Sequence, residues 1–150
     1  MIRILGAASA LALGVTVVMA QNLAPIKERQ ELMKKTNDES KAVSAMIKGE
    51  APFDAAKAGA LLGAWEDRAK KVVALFPEDS KTGEKTRAKA EVWQNKADFD
   101  TKLAEYAKVT AEAKAAAAAG SADAFKPAYA KVIKSCDDCH EKYRAPRDRG

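Results

Sequence analysis

Both cysteines and the single histidine of this 150-residue chain fall in one short run near its C-terminal end, Ser135-Cys136-Asp137-Asp138-Cys139-His140-Glu141-Lys142-Tyr143-Arg144. The spelling Cys-x-x-Cys-His is one that attaches haem c covalently. Two thiols add across the two vinyl groups of the porphyrin, and the adjacent imidazole ligates the iron. On a helix Cys136, Cys139 and His140 stand at i, i+3 and i+4, so both thioethers and the axial ligand leave one face. A flat macrocycle requires that arrangement. The reading is one covalent haem c, with Cys136 and Cys139 as attachment points and His140 as a ligand to the metal.

Three other chemistries use the same residue types. A disulfide between Cys136 and Cys139 suits an exported protein, but it closes a very small loop, and the gain from a cross-link grows with loop length. A closed structural zinc site takes four Cys or His ligands, and the chain offers three. A thioredoxin-like redox pair belongs next to a βαβ pattern, and none surrounds the motif. The spacing favours haem; a haem-free bundle closed by a disulfide would be colourless.

At 47% apolar and 31% charged residues, the chain is long enough for one domain with a core and too short for two. Met1-Ile2-Arg3 followed by the apolar run Ile4 to Val18 reads as a secretory signal peptide spanning residues 1–20, cleaved after Ala20 and leaving a domain over residues 21–150. That run falls short of the ~20 apolar residues of a membrane span, so no stable membrane anchor is expected. The formal net charge of +5 drops by one when Arg3 leaves with the leader. Acids and bases alternate in Lys27-Glu28-Arg29 and Glu66-Asp67-Arg68, as on solvated helix faces. Only Lys142 to Arg149 is densely basic. No nucleic-acid module accompanies it, so nucleic acid is not an expected partner. A basic rim that steers an acidic partner or meets haem propionates fits better.

The elements that must position the motif are helical. Pro25 suits a first helical turn, and a helix from there to Lys48 puts Ile26, Leu32, Met33, Val43, Met46 and Ile47 on one face. Thr36, Asn37 and Ser40 interrupt that face, which marks either tolerance in the core or contact with something other than side chains. Gly49 is the expected stop. Asp54 is the expected cap of a second helix, whose seam runs Ala55, Ala58, Leu62, Trp65, Ala69, Val72 and Phe76 until Pro77 ends it. A polar connection from Glu78 to Lys85 follows. The third helix resumes at Val92 and Trp93 and carries Phe99, Leu103, Tyr106, Thr110, Ala113 and Ala117 up to Gly120. Ser121 or Asp123 caps the fourth, with Pro127 in its first turn or bending it slightly and the stripe Phe125, Tyr129, Val132, Cys136, Cys139 and Tyr143. No stretch alternates as a strand does. The fold class is all-α: an antiparallel four-helix bundle with haem c packed in the core near the C-terminal helix.

A single histidine excludes a bis-histidine iron within one chain. The opposite face of the iron is empty or takes a Met or a less usual ligand, and Met33 and Met46 are the methionines left after the leader. Met33 continues the inward stripe seven residues beyond Ile26. Arg29 lies four residues before it on the same side; it is either a solvated side chain paired with its Glu28 or Glu31 neighbours or an arginine facing inward, which calls for an anion that a haem propionate supplies. No nucleophile is paired with a base, since the histidine is committed to iron, so the chain is not expected to be an enzyme.

Arg29-Gln30-x-x-Met33, Lys48-Gly49-Glu50-Ala51-Pro52-Phe53-Asp54, Leu75-Phe76-Pro77, Glu91-Val92-Trp93 and the terminal Cys136-x-x-Cys139-His140-x-x-Tyr143-Arg144 together resemble the class II c-type cytochromes, the cytochrome c′ family with its low-spin Met-ligated relatives. The resemblance covers the chain from Gln21 to its tail. That family is itself a standard example of an up-down-up-down bundle, so the architecture is no independent inference. The resemblance implies a periplasmic haem protein, a homodimer packed through its first two helices, and a residue at position 33 facing the distal side of the iron. It implies cofactor-binding roles for Arg29 near the propionates and Arg144 near the proximal histidine. High-spin members leave the distal side unligated and bind nitric oxide or carbon monoxide; low-spin members use methionine as sixth ligand. The expected function is one-electron transfer with redox partner proteins of the periplasm, with Met33 as sixth ligand; the alternative is a five-coordinate iron that binds a diatomic gas.

Overall fold

The computed structural model describes residues 22–146; the leader expected over residues 1–20, and Arg147 to Arg149 of the basic tail, lie outside them. Helix α1 spans Leu23–Ile47. It stops as the sequence implies: Gly49 takes φ +76°, and the amides of Glu50 and Ala51 turn back to the Ala45 carbonyl at 2.9 and 3.2 Å. Helix α2 spans Ala55–Val72, with the Asp54 side chain accepting the Lys57 amide at 2.9 Å. The α-helix ends earlier than its apolar stripe. One 3₁₀ turn at Val73–Leu75 follows, and Phe76 leaves the helix at φ −126°, ψ 53° because a residue before proline is disfavoured in the α region.

The connection to the next long helix is more structured than expected, with a second 3₁₀ turn at Glu78–Ser80. The helix expected to run on from Val92 is broken. Helix α3 is a single turn, Glu91–Gln94, and Asn95 at φ −121°, ψ 46° separates it from α4, Lys96–Ala117. The break turns Trp93 toward the connection, where its indole N–H donates to the carbonyls of Phe76 and Pro77 at 3.0 and 3.1 Å. Gly120 at φ +74° closes α4. Helix α5 spans Ala122–Tyr143 and is capped by Ser121 rather than Asp123. Pro127 lies in its second turn, past the first-turn position that is one of its two expected places.

The long helices α1, α2, α4 and α5 form the four-helix bundle. Helix α4 packs closely along α2 and α5, whereas α1 approaches α2 and α5 more sparsely. The core has two parts. One gathers Val43, Met46, Leu62, Trp65, Phe125 and Tyr129; the other gathers Val72, Leu75, Val92, Phe99, Leu103 and Tyr143, with Cys139 packed against it. Residues 87–89 pair with the end of α5: the Lys89 amide donates to the Tyr143 carbonyl at 3.0 Å and the Ala145 amide to the Arg87 carbonyl at 2.8 Å, flanking an antiparallel bridge between Ala88 and Arg144. No described helix is long and apolar enough to cross a membrane.

Asp54 satisfies one of the amides that a helix start leaves open. Asp54→Ala is expected to lower the unfolding free energy by about 1 kcal/mol, measured as a lower urea midpoint at unchanged slope.

Candidate haem site

A cleft of about 280 Å³ opens between the two core clusters. Its α5 wall presents Cys136, Cys139, His140 and Arg144; α1 contributes Leu32, Met33, Thr36, Asn37 and Ser40; α2 contributes Trp65, Arg68, Ala69 and Val72; and α4 contributes Lys102, Leu103 and Tyr106. The polar interruption of the α1 stripe therefore faces this cleft rather than the packed core. Met46 does not: it is buried in the first cluster, where its sulfur accepts the Asp54 amide at 3.4 Å.

The C-terminal half of α5 brings the two thiols and the imidazole to the same cleft, as the i, i+3, i+4 spacing requires. Neither cysteine is in a disulfide. Burial, with Asp137 and Cys139 adding to it, pushes the Cys136 thiol up to about 11. Burial also raises Cys139. The His140 imidazole is pushed down to about 4, chiefly by burial and then by the Arg144 guanidinium. At neutral pH the site thus holds two protonated thiols and a neutral imidazole, the form that binds a metal. Arg144 and Lys102 bring positive charge to the walls, with apolar and aromatic surface between them. These residues fit a haem: thiols for the vinyls, a neutral imidazole for iron, an apolar slot for the ring and cations for its acidic edge.

Met33 lines the same cleft from α1 and is 39% exposed, so few contacts hold its side chain. The structure does not bring Arg29 to the cleft. The expectation of a propionate partner rested on its inward stripe and on the family resemblance; it is buried at 4% exposure, and its guanidinium is engaged by the connection after α2. Nη1 donates to the Leu75 carbonyl and Ser80 Oγ at 2.8 and 2.9 Å, and Nη2 to the Ser80 carbonyl and Thr86 Oγ1, both at 2.9 Å. Its cation also lies 4.5 Å from the centre of the Phe76 ring. All four hydrogen-bond acceptors are neutral, and burial lowers the guanidinium to about 10.

Arg68 had been placed on a solvated face, and the structure corrects this. Its side chain is 12% exposed, against 19% for its partner Glu39. Arg68 Nη1 and Nη2 donate to the two Glu39 oxygens at 2.5 and 2.8 Å. Nη1 also reaches Thr36 Oγ1 at 3.1 Å, and the Trp65 indole N–H donates to Glu39 Oε2 at 2.7 Å. The one signal in the sequence was spacing: Arg68 stands three residues after Trp65 and four before Val72, close to the buried seam. An alternating charge pattern masked it.

A helix that offers two thiols and an imidazole to an apolar cleft inside a four-helix bundle defines a c-type haem protein of the bundle type. Residues 24–144 match the family of cytochrome c′. The chain is 37% identical over 147 residues to cytochrome c′ of Rhodopseudomonas palustris (strain ATCC BAA-98 / CGA009), an alignment that covers 97% of this chain and 98% of the relative. It is 33% identical over 148 residues to cytochrome c-556 of the same organism, covering 96% and 97%. The solved structure of cytochrome c′ from Rhodopseudomonas palustris aligns with a TM-score of 0.78 at 35% identity, over 83% of this chain and 98% of that one. The chain belongs to the cytochrome c′ family, whose members carry covalently attached haem c.

The Glu39 carboxylate is held below its ordinary value of 4.5, first by the Arg68 hydrogen bond and then by that of Trp65, against burial. Its folded-state value lies below its unfolded one, so its contribution to stability is complete above the unfolded value and is lost as the pH falls through the folded one. Acidification below about 4.5 is expected to lower the urea midpoint of the native protein more steeply than that of Glu39→Gln.

Proposed function

We propose that the protein is a periplasmic one-electron carrier in which Cys136 and Cys139 hold haem through thioether bonds, His140 is the proximal ligand and Met33 the sixth. The observation that carries this is that Met33 on α1 and His140 on α5 line one cleft from different walls. Bound haem supplies a ferric–ferrous couple whose potential depends on axial ligation and burial. The chain's part is to orient and insulate. Trp65, Val72 and Leu103 exclude water from the cleft walls, and a dry wall strengthens every charge near the metal. Arg144, within electrostatic reach of His140, favours the reduced over the oxidised iron. Residues 1–20 serve as the export leader in this reading, and a homodimer through α1 and α2 is carried over from the family resemblance.

The ferric holoprotein is expected to give a low-spin electron paramagnetic resonance signal that turns high-spin in Met33→Ala. A high-spin signal unchanged by the substitution would reject ligation and favour a five-coordinate iron that binds nitric oxide or carbon monoxide. Replacing Cys136 and Cys139 together by alanine is expected to remove haem staining from the polypeptide on a denaturing gel.

A further inference from the structure

The structure assigns to the Glu39–Arg68–Trp65 cluster the task of positioning Met33: it pins the middle of α1 to α2 and so sets how closely the thioether approaches the metal. Helix α1 is anchored at its ends, by buried Ile26 and Arg29 on one side and buried Val43 and Met46 on the other. No residue between Arg29 and Val43 is fully buried, a stretch of about 21 Å at 1.5 Å per residue. That stretch carries Met33 and faces the cleft, and Met33 is too exposed to be located by its own packing. Leu32 beside it packs against the second core cluster but is only half-buried, so polar contacts must complete the placing of this backbone.

Among the described residues, the side-chain hydrogen bonds that tie α1 to the bundle between Met33 and Ser40 are those of Thr36 and Glu39. Both Glu39 oxygens are engaged, and each donor comes from α2. A two-pronged arginine–carboxylate pair fixes direction as well as distance. Trp65 is held in turn, with its ring centre 6.2 Å from that of Tyr129, whose hydroxyl donates to the Ser40 carbonyl at 3.2 Å. Glu39 is less than two helical turns from Met33, and a helix is stiff over that length. Letting go of Glu39 frees the middle of α1 to bow outward and carries Met33 with it. The intact pair is neutral in sum, so it acts through distance, and the double variant Glu39→Ala/Arg68→Ala, which keeps the net charge of the wall, is expected to act like the single ones.

The proposal rests on Met33 as sixth ligand, and two readouts on the holoprotein separate the two ideas: ferric electron paramagnetic resonance, and the rate at which carbon monoxide binds the ferrous form after flash photolysis. Glu39→Ala and Arg68→Ala are expected to convert part of the low-spin signal to high-spin and to speed carbon monoxide binding by about tenfold, the ratio that one lost charge-assisted hydrogen bond represents. Glu39→Gln, which keeps the length and one acceptor, should recover part of the native behaviour. Unaltered spin state and rate in both alanine variants overturn the proposal. If those variants fail to retain haem, Arg68→Lys, which keeps the charge but gives up the two-pronged grip on Glu39, decides it: a faster rate supports the positioning role and a native rate overturns it. If the native ferric protein is high-spin and Met33→Ala matches it, ligation fails, and the carbon monoxide rates alone judge whether the cluster sets the width of the cleft.

Discussion

Trp65 packs in one apolar cluster and Val72 in the other, two turns apart on the same helix, and both face the cleft where the clusters fail to meet. That division of the core is the constraint to which the rest of the bundle conforms. A continuous core would close α1 against α2 and α5. Instead α4 carries the close packing, and α1 is held at its ends. Burial of side chains such as Leu62, Phe125 and Val132 at one end and Phe99 and Tyr143 at the other contributes about 1.5–3 kcal/mol each relative to exposure. This lets the middle of the molecule stay open as a cleft lined by Cys136, Cys139 and His140.

Polar interactions do the positioning that apolar contacts leave open. Arg29 organises the connection after α2 by donating to Leu75, Ser80 and Thr86 while its cation rests on Phe76. A guanidinium tolerates this because it is weakly hydrated and offers a rigid fork of donors; lysine has neither property. That connection, once ordered, hands residues 87–89 to the end of α5. The chain of dependence runs from a buried arginine near the N-terminus to the backbone just beyond His140. Asp98 adds a second brace, accepting from Tyr143 and, at 2.7 Å, from Lys142.

The electrostatics of the cleft follow from the same burial. Desolvation keeps both thiols protonated and the imidazole neutral. Arg68 is charged whatever its surroundings, and in the opposite wall Glu39 meets that charge. A lone cation at that depth would carry a penalty of several kcal/mol. The paired arrangement adds direction without adding net charge to the cleft wall.

Spacing in the sequence was enough to place Cys136, Cys139 and His140 on one helical face, to cap α2 with Asp54, to end α1 at Gly49 and to set the apolar stripes that make a bundle. These are local matters: helical periodicity and the conformational limits of Gly, Asp and Pro act within a few residues. Arg29 and Arg68 were not legible in the same way. Whether an inward arginine meets a cofactor edge, a set of carbonyls or a distant carboxylate depends on which segments lie across from it. Glu39 and Arg68 are 29 positions apart and Arg29 and Ser80 are 51 apart, and no period in the chain records either pairing. The break at Asn95 was hidden for a related reason, since it is stabilised by where Trp93 finds its acceptors. The sequence by itself determined the class of cofactor and put two thiols and an imidazole on one helical face, because helical spacing is a local matter; the tertiary structure alone decided what faces that constellation, because the opposite wall is assembled from helices distant in the chain.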